Sequence, residues 1–204
     1  VSDLVLLTDD FSILPAAIKE GRVIVDNMRK VVSYLLSGSF TETILIGTAL
    51  ILGFPLPITA LQILWINLIE DGLPGIALTF EKAEKGIMER GPDTPNTPLL
   101  TSEMKFIIFA ISLITDIILV GLFIWLLQQT IPIEHIQTIL FVALGLDSLL
   151  YVYSLRSLKK NIWEYNPFSN MLLNGAVAIG VVALVAAVYL PILQKLLHTT
   201  PLSV

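Results

Sequence analysis

The sequence contains no cysteine among its 204 residues, so neither a disulfide framework nor a thiolate metal site is available to it. Histidine is nearly absent as well, with 2 residues. A glycine-rich phosphate loop, a histidine cluster and a Ser/His pair are also missing from the sequence. We therefore identify no catalytic residue and no cofactor-binding residue in the chain.

Charged residues are few: they make up 14% of the sequence, whereas about a quarter of a typical soluble domain is charged. Apolar residues make up 55%, and the mean hydropathy is +0.83. The net charge is −5 and no basic stripe is present, so we expect no nucleic-acid partner. The acidic N-terminus does not resemble a signal peptide. The expected partner is a lipid bilayer.

Five apolar stretches reach the roughly 20 residues that a helix needs to cross the hydrocarbon core. They predict spans at about 31–54, 56–80, 106–127, 136–155 and 171–190. The predicted fold class is therefore all-α, a multi-pass transmembrane helical bundle. Because no proline falls within residues 21–52, we expect one continuous helix there.

Residues 1–20 have a different pattern. SDLVLL, residues 2–7, predicts a short strand, and a turn and a helix follow it. Twenty residues cannot form a domain, so we expect a strand–helix remnant of a soluble domain and a chain that is a piece of something longer. The basic residues suggest the orientation: eleven of the twelve flank the same ends of the spans, which predicts a cytoplasmic N-terminus for an integral membrane protein.

Acidic residues lie inside the predicted spans, at Glu42, Glu70, Asp71, Asp116 and Asp147. Each costs roughly 2.5–3.5 kcal/mol at the membrane centre. No lysine or arginine lies within a span to pair with them. Such carboxylates must be protonated, face water or bind cations. For Asp116 and Asp147, a structural hydrogen bond to a neighbouring helix is as good an interpretation as a functional one.

Spacing groups some of these acids on shared helix faces. Ser39 and Glu42 are three residues apart, and Asn67, Glu70 and Asp71 stand at i, i+3 and i+4, so each set shares a face. The short FPLP connection, residues 54–57, makes the two helices antiparallel neighbours. We expect the chain to open at Glu70–Gly72, which would free carbonyl oxygens for a hard cation. A purely structural network is the alternative.

Four motifs together resemble the type II P-type ATPases, most closely their calcium-pump-like members. DDFSILPAAIKEGRVIVDNMRKVVSYLLSGSFTE resembles the end of the phosphorylation domain and the fifth membrane helix, and LQILWINLIEDGLPGIALTFE resembles the sixth. EKGIMERGPDTPNTPLLT and KKNIWEYNPFSN resemble the following loops. The resemblance implies that residues 1–20 end the phosphorylation (P) domain and that residues 21–204 are the C-terminal cation-transporting membrane domain, helices five to nine.

The resemblance also implies a set of cation ligands: Ser39, Glu42, Asn67, Glu70 and Asp71, with Asp147 as a further candidate. Calcium pumps usually have Asn in place of Ser39 and Thr in place of Glu70. The family's DKTG and GDGxND motifs are absent, so the ATP and Mg²⁺ sites of the intact enzyme, and membrane helices one to four, would lie in the missing N-terminal portion of the same pump. The chain alone is not expected to hydrolyse ATP.

The resemblance predicts the transport half of an ATP-driven cation pump, with Ca²⁺ as the candidate ion. Two other functions stay open. A stand-alone cation channel or secondary transporter would often contain an internal repeat with paired broken helices, and we find no clear second copy of the broken span. A non-catalytic regulatory membrane protein is the third possibility.

Overall fold

The computed structural model describes residues 11–91, 98–157 and 166–202, and these ranges are helical with no strand. Four of the helices are long and apolar enough to cross a membrane. The predicted all-α, multi-pass class is therefore confirmed. The strand predicted at residues 2–7 lies outside the described residues.

The first helix, α1, runs without a break over Leu14–Ile51, behind a 3-10 turn at Phe11–Ile13. Pro15 lies in its first turn, where the missing N–H is harmless. At 1.5 Å per residue its 38 residues extend about 57 Å, well beyond the roughly 30 Å of a hydrocarbon core. The continuous helix predicted for residues 21–52 is confirmed, and it begins earlier than expected.

The second passage, predicted at 56–80, consists of three consecutive helical pieces. They are α2 (Ala60–Trp65), a π helix (Ile66–Asp71) and α3 (Gly72–Leu78). The prediction that the chain opens around Glu70–Gly72 is wrong, because both residues at the second joint, Asp71 and Gly72, keep helical dihedrals. A π turn widens a helix without interrupting it, and such turns are frequent at functional sites.

The remaining helices are α4 (Ser102–Leu127), α5 (Ile133–Ser154), α6 (Met171–Tyr189) and α7 (Pro191–Leu197). The first three lie within a few residues of the predicted spans. Helix α7 was not predicted. It begins at Pro191, a residue that cannot continue α6 but that fits the first position of a new helix.

A polar layer crosses the bundle between two apolar clusters of described residues. One cluster contains Leu45, Phe123, Phe141 and Leu184, and the other contains Tyr34, Leu78, Leu149 and Leu173. Buried polar residues lie between or beside these clusters and include Ser37, Thr41, Glu70, Asp71, Asp116 and Ser148. Three acidic side chains, Glu70, Asp71 and Asp116, are thus buried in the interior of the bundle.

We call residues 79–91, 98–101, 155–157 and 166–170 the loop end of the bundle. Charged side chains connect this loop end to the helices. Arg22 of α1 donates to the carbonyls of Ile87 and Arg90, at 2.7 Å each. Arg156, after α5, forms an ion pair with Glu81 at 2.7 Å. The basic residues at this end therefore connect the loops to α1 and α5, in addition to flanking the spans.

Candidate cation site

A small cavity lies in the polar layer between α1, the π helix, α4 and α5. The space open to the centre of a water-sized sphere is about 30 Å³, which is enough for a water molecule or a small ion. Three carboxylates line it: Glu42, Asp71 and Asp147. Hydroxyl groups from three helices complete the polar lining, namely Tyr34, Ser37, Thr41, Ser112, Thr115, Ser148 and Tyr151.

Glu42 on α1 and Asn67 on the π helix meet directly. The Asn67 side-chain nitrogen donates to both Glu42 carboxylate oxygens, at 2.9 and 3.2 Å, and to the Ile63 carbonyl at 3.0 Å. The tight connection between the two helices places these residues at the same depth, as the sequence suggested. The amide group thus bonds a carboxylate that lines the cavity, although Asn67 itself is not among the described residues that line it.

Asp71 lies deeper and is 3% exposed. The Ser148 hydroxyl donates to Asp71 Oδ1, and the Tyr34 hydroxyl oxygen lies 2.7 Å from Ser148 Oγ. On the other side, a Cβ added to Gly38 would lie 3.3 Å from Asp71 Oδ2. Helices α1 and α5 therefore fix the Asp71 carboxylate between them, and the absence of a side chain at residue 38 provides the space.

Glu70 does not line the cavity. Its side chain enters the gap between α5 and α6, where a Cβ on Gly180 would lie 2.9 Å from Glu70 Oε2 and a Cβ on Gly145 would lie 3.7 Å from Glu70 Cγ. Successive residues of a helix point about 100° apart, so adjacent acids cannot both face α1. Of the predicted ligands, Glu42 and Asp71 line the cavity, Asn67 bonds to Glu42 beside it, and Glu70 points elsewhere.

Ser39 is also outside the cavity. It is exposed in the described part of the chain, and its hydroxyl donates to the Leu35 carbonyl of its own helix at 3.0 Å. Apart from the phenol of Tyr34, the α1 hydroxyls that do line the cavity belong to Ser37 and Thr41. These two residues are four positions apart and share a face, a signal that was present in the sequence and that we did not use.

Helix α4 contributes to the site although sequence reasoning did not assign it a ligand. Ser112 and Thr115 line the cavity, and they are three positions apart on one helix face. Asp147 of α5, the further candidate, lines it as well. The pattern Ser112–Thr115–Asp116 on a span otherwise free of charge was the available signal for α4.

The cavity presents oxygen ligands only, which are the ligands that hard cations such as Ca²⁺ and Mg²⁺ prefer. No lysine or arginine is among the described residues that line it. Within the described ranges, no group of three or more His, Cys, Asp or Glu side chains is close enough to hold one metal ion. An ion held here would therefore need hydroxyl, amide or carbonyl oxygens in addition to a pair of carboxylates.

Comparisons with known proteins agree with this chemistry. The family model described as "Cation transporting ATPase, C-terminus" matches residues 55–204. The chain is 34% identical to a "Calcium-transporting ATPase" of Bacillus subtilis over 99% of its length and 23% of that protein. It is 32% identical to a "Probable cation-transporting ATPase F" of Mycobacterium tuberculosis, over all of this chain and 22% of the relative. A "Calcium-transporting ATPase type 2C member 1" of Pongo abelii is 31% identical, again over all of this chain and 22% of the relative. The chain thus spans less than a quarter of the length of these relatives.

Proposed function

The chain belongs to the cation-transporting P-type ATPases, and from this premise we propose that it forms part of the ion pathway of an ATP-driven pump whose transported ion is Ca²⁺. Residues 21–204 would be the membrane domain, and residues 1–20 the end of the phosphorylation domain. ATP and Mg²⁺ would bind to parts of the protein outside this chain. The N-terminus would be cytoplasmic, as the distribution of basic residues predicts.

The observation that supports this proposal best is that Glu42 and Asp71 line one cavity inside the bundle, with Asn67 hydrogen-bonded to the Glu42 carboxylate. Each buried carboxylate would cost roughly 2.5–3.5 kcal/mol in the membrane centre if it were uncompensated. A divalent cation shared by Glu42 and Asp71 removes both costs at once. The amide oxygen of Asn67 and nearby hydroxyls supply the additional neutral ligands that Ca²⁺ takes.

One side of the proposed site is open. Asn67 is exposed, and so are Ser39 and Thr43 on the neighbouring face of α1. Their donors bond to Glu42 or to helix carbonyls, but a polar partner for their oxygens cannot come from lipid. We assign that partner to the preceding membrane helices of the full-length pump, so this chain would provide only part of the ligand set and would bind the ion weakly by itself.

Helix α1 would connect the site to the phosphorylation domain. It continues well beyond the membrane, and its outer turns bind the loop end through Arg22 and through Asn27, which donates to the Thr79 and Glu81 carbonyls at 3.0 and 2.8 Å. A displacement of α1 would therefore move the loop end together with Glu42. This linkage is the means by which phosphorylation outside the chain would alter access to the cavity.

The proposal is tested by ion-dependent phosphorylation of the full-length protein. The protein is incubated with ATP and Mg²⁺, and Ca²⁺, Mn²⁺, Na⁺, K⁺ and H⁺ are screened in turn. We expect Ca²⁺ to activate phosphorylation. Phosphorylation that no ion activates would contradict the pump assignment. Cation flux through vesicles that needs no ATP would favour the stand-alone channel or secondary transporter instead.

A further inference from the structure

A larger cavity lies at the loop end of the bundle and shares no described lining residue with the cation site. Its volume is about 630 Å³, within the range of cavities that hold small organic ligands. It is lined by residues 80–85 after α3, by residues 156–157 after α5 and by residues 169–172 at the start of α6. Because one predicted span ends at about 80 and another begins at about 171, we place this cavity at the level of the membrane surface.

Both acidic side chains among the described lining residues already have basic partners. Glu81 accepts two bonds from the Arg156 guanidinium, at 2.9 and 2.7 Å, and one from the Asn170 side chain at 2.9 Å. Glu84 lies 3.7 Å from the ammonium group of Lys30, which is buried. These contacts fix the lining of the cavity and cancel its negative charge.

Two lysines of the same cavity remain available to a ligand. Lys82 and Lys85 line it, and both are exposed. Neither forms an ion pair or a side-chain hydrogen bond in the described part of the chain. An ammonium group on a flexible stem binds phosphate as a point charge. The cavity therefore offers two positive charges to an anion.

Apolar side chains line the cavity beside these lysines. Phe80 is 67% exposed, Met171 is 82% exposed and Leu172 is 51% exposed. A free phosphate ion would use the lysines and leave this apolar surface uncovered. A membrane helix packed into the cavity would cover the apolar surface but would bury two unpaired ammonium groups, which is costly. A molecule that joins a phosphate group to hydrocarbon chains matches both parts of the lining.

We propose that this cavity binds an anionic phospholipid, with the phosphate group at Lys82 and Lys85 and the acyl chains against the three apolar side chains. Basic residues at a membrane surface attract anionic lipids, and this cavity adds a lining that is held in place by its own ion pairs. The lipid site is separate from the ion pathway, so the inference does not depend on which ion is transported.

The test is the binding of defined lipids to the full-length protein, measured by native mass spectrometry in detergent. Dioleoylphosphatidylglycerol should bind more tightly than dioleoylphosphatidylcholine, which has the same acyl chains and no net charge. Lys82→Gln combined with Lys85→Gln should weaken the binding of phosphatidylglycerol by roughly tenfold or more and leave that of phosphatidylcholine unchanged. Lys82→Arg combined with Lys85→Arg should keep the preference for phosphatidylglycerol, because the charge is retained.

The matched control is Lys19→Gln combined with Lys105→Gln, which removes the same charge from exposed residues that do not line the cavity. It should bind phosphatidylglycerol as the wild type does. An equal loss in the control and in the Lys82→Gln, Lys85→Gln protein would overturn the proposal, because the lipid would then respond to overall charge. Wild-type protein that binds the two lipids equally would also overturn it. So would displacement of phosphatidylglycerol by an equal concentration of glycerol 3-phosphate, because the cavity would then hold a soluble phosphate. Each of these outcomes leaves ion-activated phosphorylation, the test of the proposed function, unaffected.

Discussion

The hydroxyl oxygen of Tyr34 on α1 lies 3.1 Å from the backbone carbonyl oxygen of Glu70 on the π helix. In an α-helix that carbonyl would accept from the N–H of residue 74, but residue 74 is a proline and has none. The same hydroxyl lies 2.7 Å from Ser148 Oγ, which donates to Asp71. Tyr34 therefore joins three helices at the point where Pro74 removes a hydrogen bond.

Tyr34→Phe should destabilise the protein and weaken ion binding. The substitution leaves the Glu70 carbonyl and Ser148 without this partner, and interhelical hydrogen bonds in membranes contribute roughly 0.6–1.7 kcal/mol. We expect a lower thermal midpoint in detergent and a weaker apparent affinity for Ca²⁺, because Ser148 no longer holds Asp71 in one orientation. The matched control is Tyr189→Phe, because the wild-type Tyr189 hydroxyl donates to the Leu202 carbonyl, far from the cavity. Equal effects of the two variants on Ca²⁺ affinity would contradict the role assigned to Tyr34.

Gly38→Ala should reduce the affinity for Ca²⁺ with little effect on folding. The added Cβ would lie 3.3 Å from Asp71 Oδ2, and Ser148 holds that carboxylate on its other side, so the carboxylate must shift by a few tenths of an ångström. We expect a loss of roughly tenfold in apparent affinity, typical of a disturbed metal-ligand environment. Gly47→Ala is the control, since no atom lies within 4 Å of its added Cβ. Wild-type affinity in Gly38→Ala would show that Asp71 can move freely.

Gly180→Ala should lower stability, because α6 leaves space there for two buried side chains. An added Cβ would lie 2.5 Å from Leu149 Cδ2 and 2.9 Å from Glu70 Oε2, and overpacking of this kind costs roughly 1–3 kcal/mol. Gly175→Ala, on the same helix with no neighbour within 4 Å, should leave the thermal midpoint unchanged or slightly raised. Equal midpoints for both variants would mean that Glu70 and Leu149 adapt without strain.

The ion pair at the loop end should make stability depend on pH. Burial by itself would raise the pKa of Glu81, but hydrogen bonds from Arg156 and Asn170 and the charges of Arg156 and Lys30 hold that pKa below its ordinary value of 4.5. A carboxyl whose pKa is lowered by folding stabilises the fold above its ordinary pKa, and that contribution disappears as the pH falls through the lowered value. Glu81→Gln should therefore reduce the thermal midpoint at pH 7, and the difference from the wild type should vanish on acidification below pH 4.5. A difference that stays constant with pH would contradict this assignment.

The sequence predicted the helical architecture well because long apolar runs leave few alternatives in a membrane. It also predicted correctly that Glu42 and Asn67 lie close together, since the FPLP connection forces α1 and the second passage to be antiparallel neighbours. The unbroken course of α1 followed from the absence of internal proline. Each of these predictions depended on local sequence alone.

The predictions that failed needed tertiary information. Glu70 and Asp71 are adjacent, so periodicity could not decide which of them faces α1; the packing of α5 and α6 around Gly145 and Gly180 decides it. Periodicity likewise could not decide which of Ser37 and Ser39 on α1 faces the inside of the bundle. The expected opening at Gly72 was wrong because a π turn, together with Tyr34, compensates for Pro74 while the chain stays helical.

The measurement that tests the central claim most directly is ion-activated phosphorylation of the full-length protein with Asp71→Asn. The substitution preserves the size of the side chain and removes the deepest carboxylate of the cavity, so we predict that Ca²⁺ no longer activates phosphorylation, even at concentrations that saturate the wild type. The thermal midpoint should stay close to that of the wild type, and Glu134→Gln should behave as the wild type does. A folded Asp71→Asn protein with unchanged apparent affinity for Ca²⁺ would contradict the account, because Asp71 would then belong to a structural network and not to the transport site.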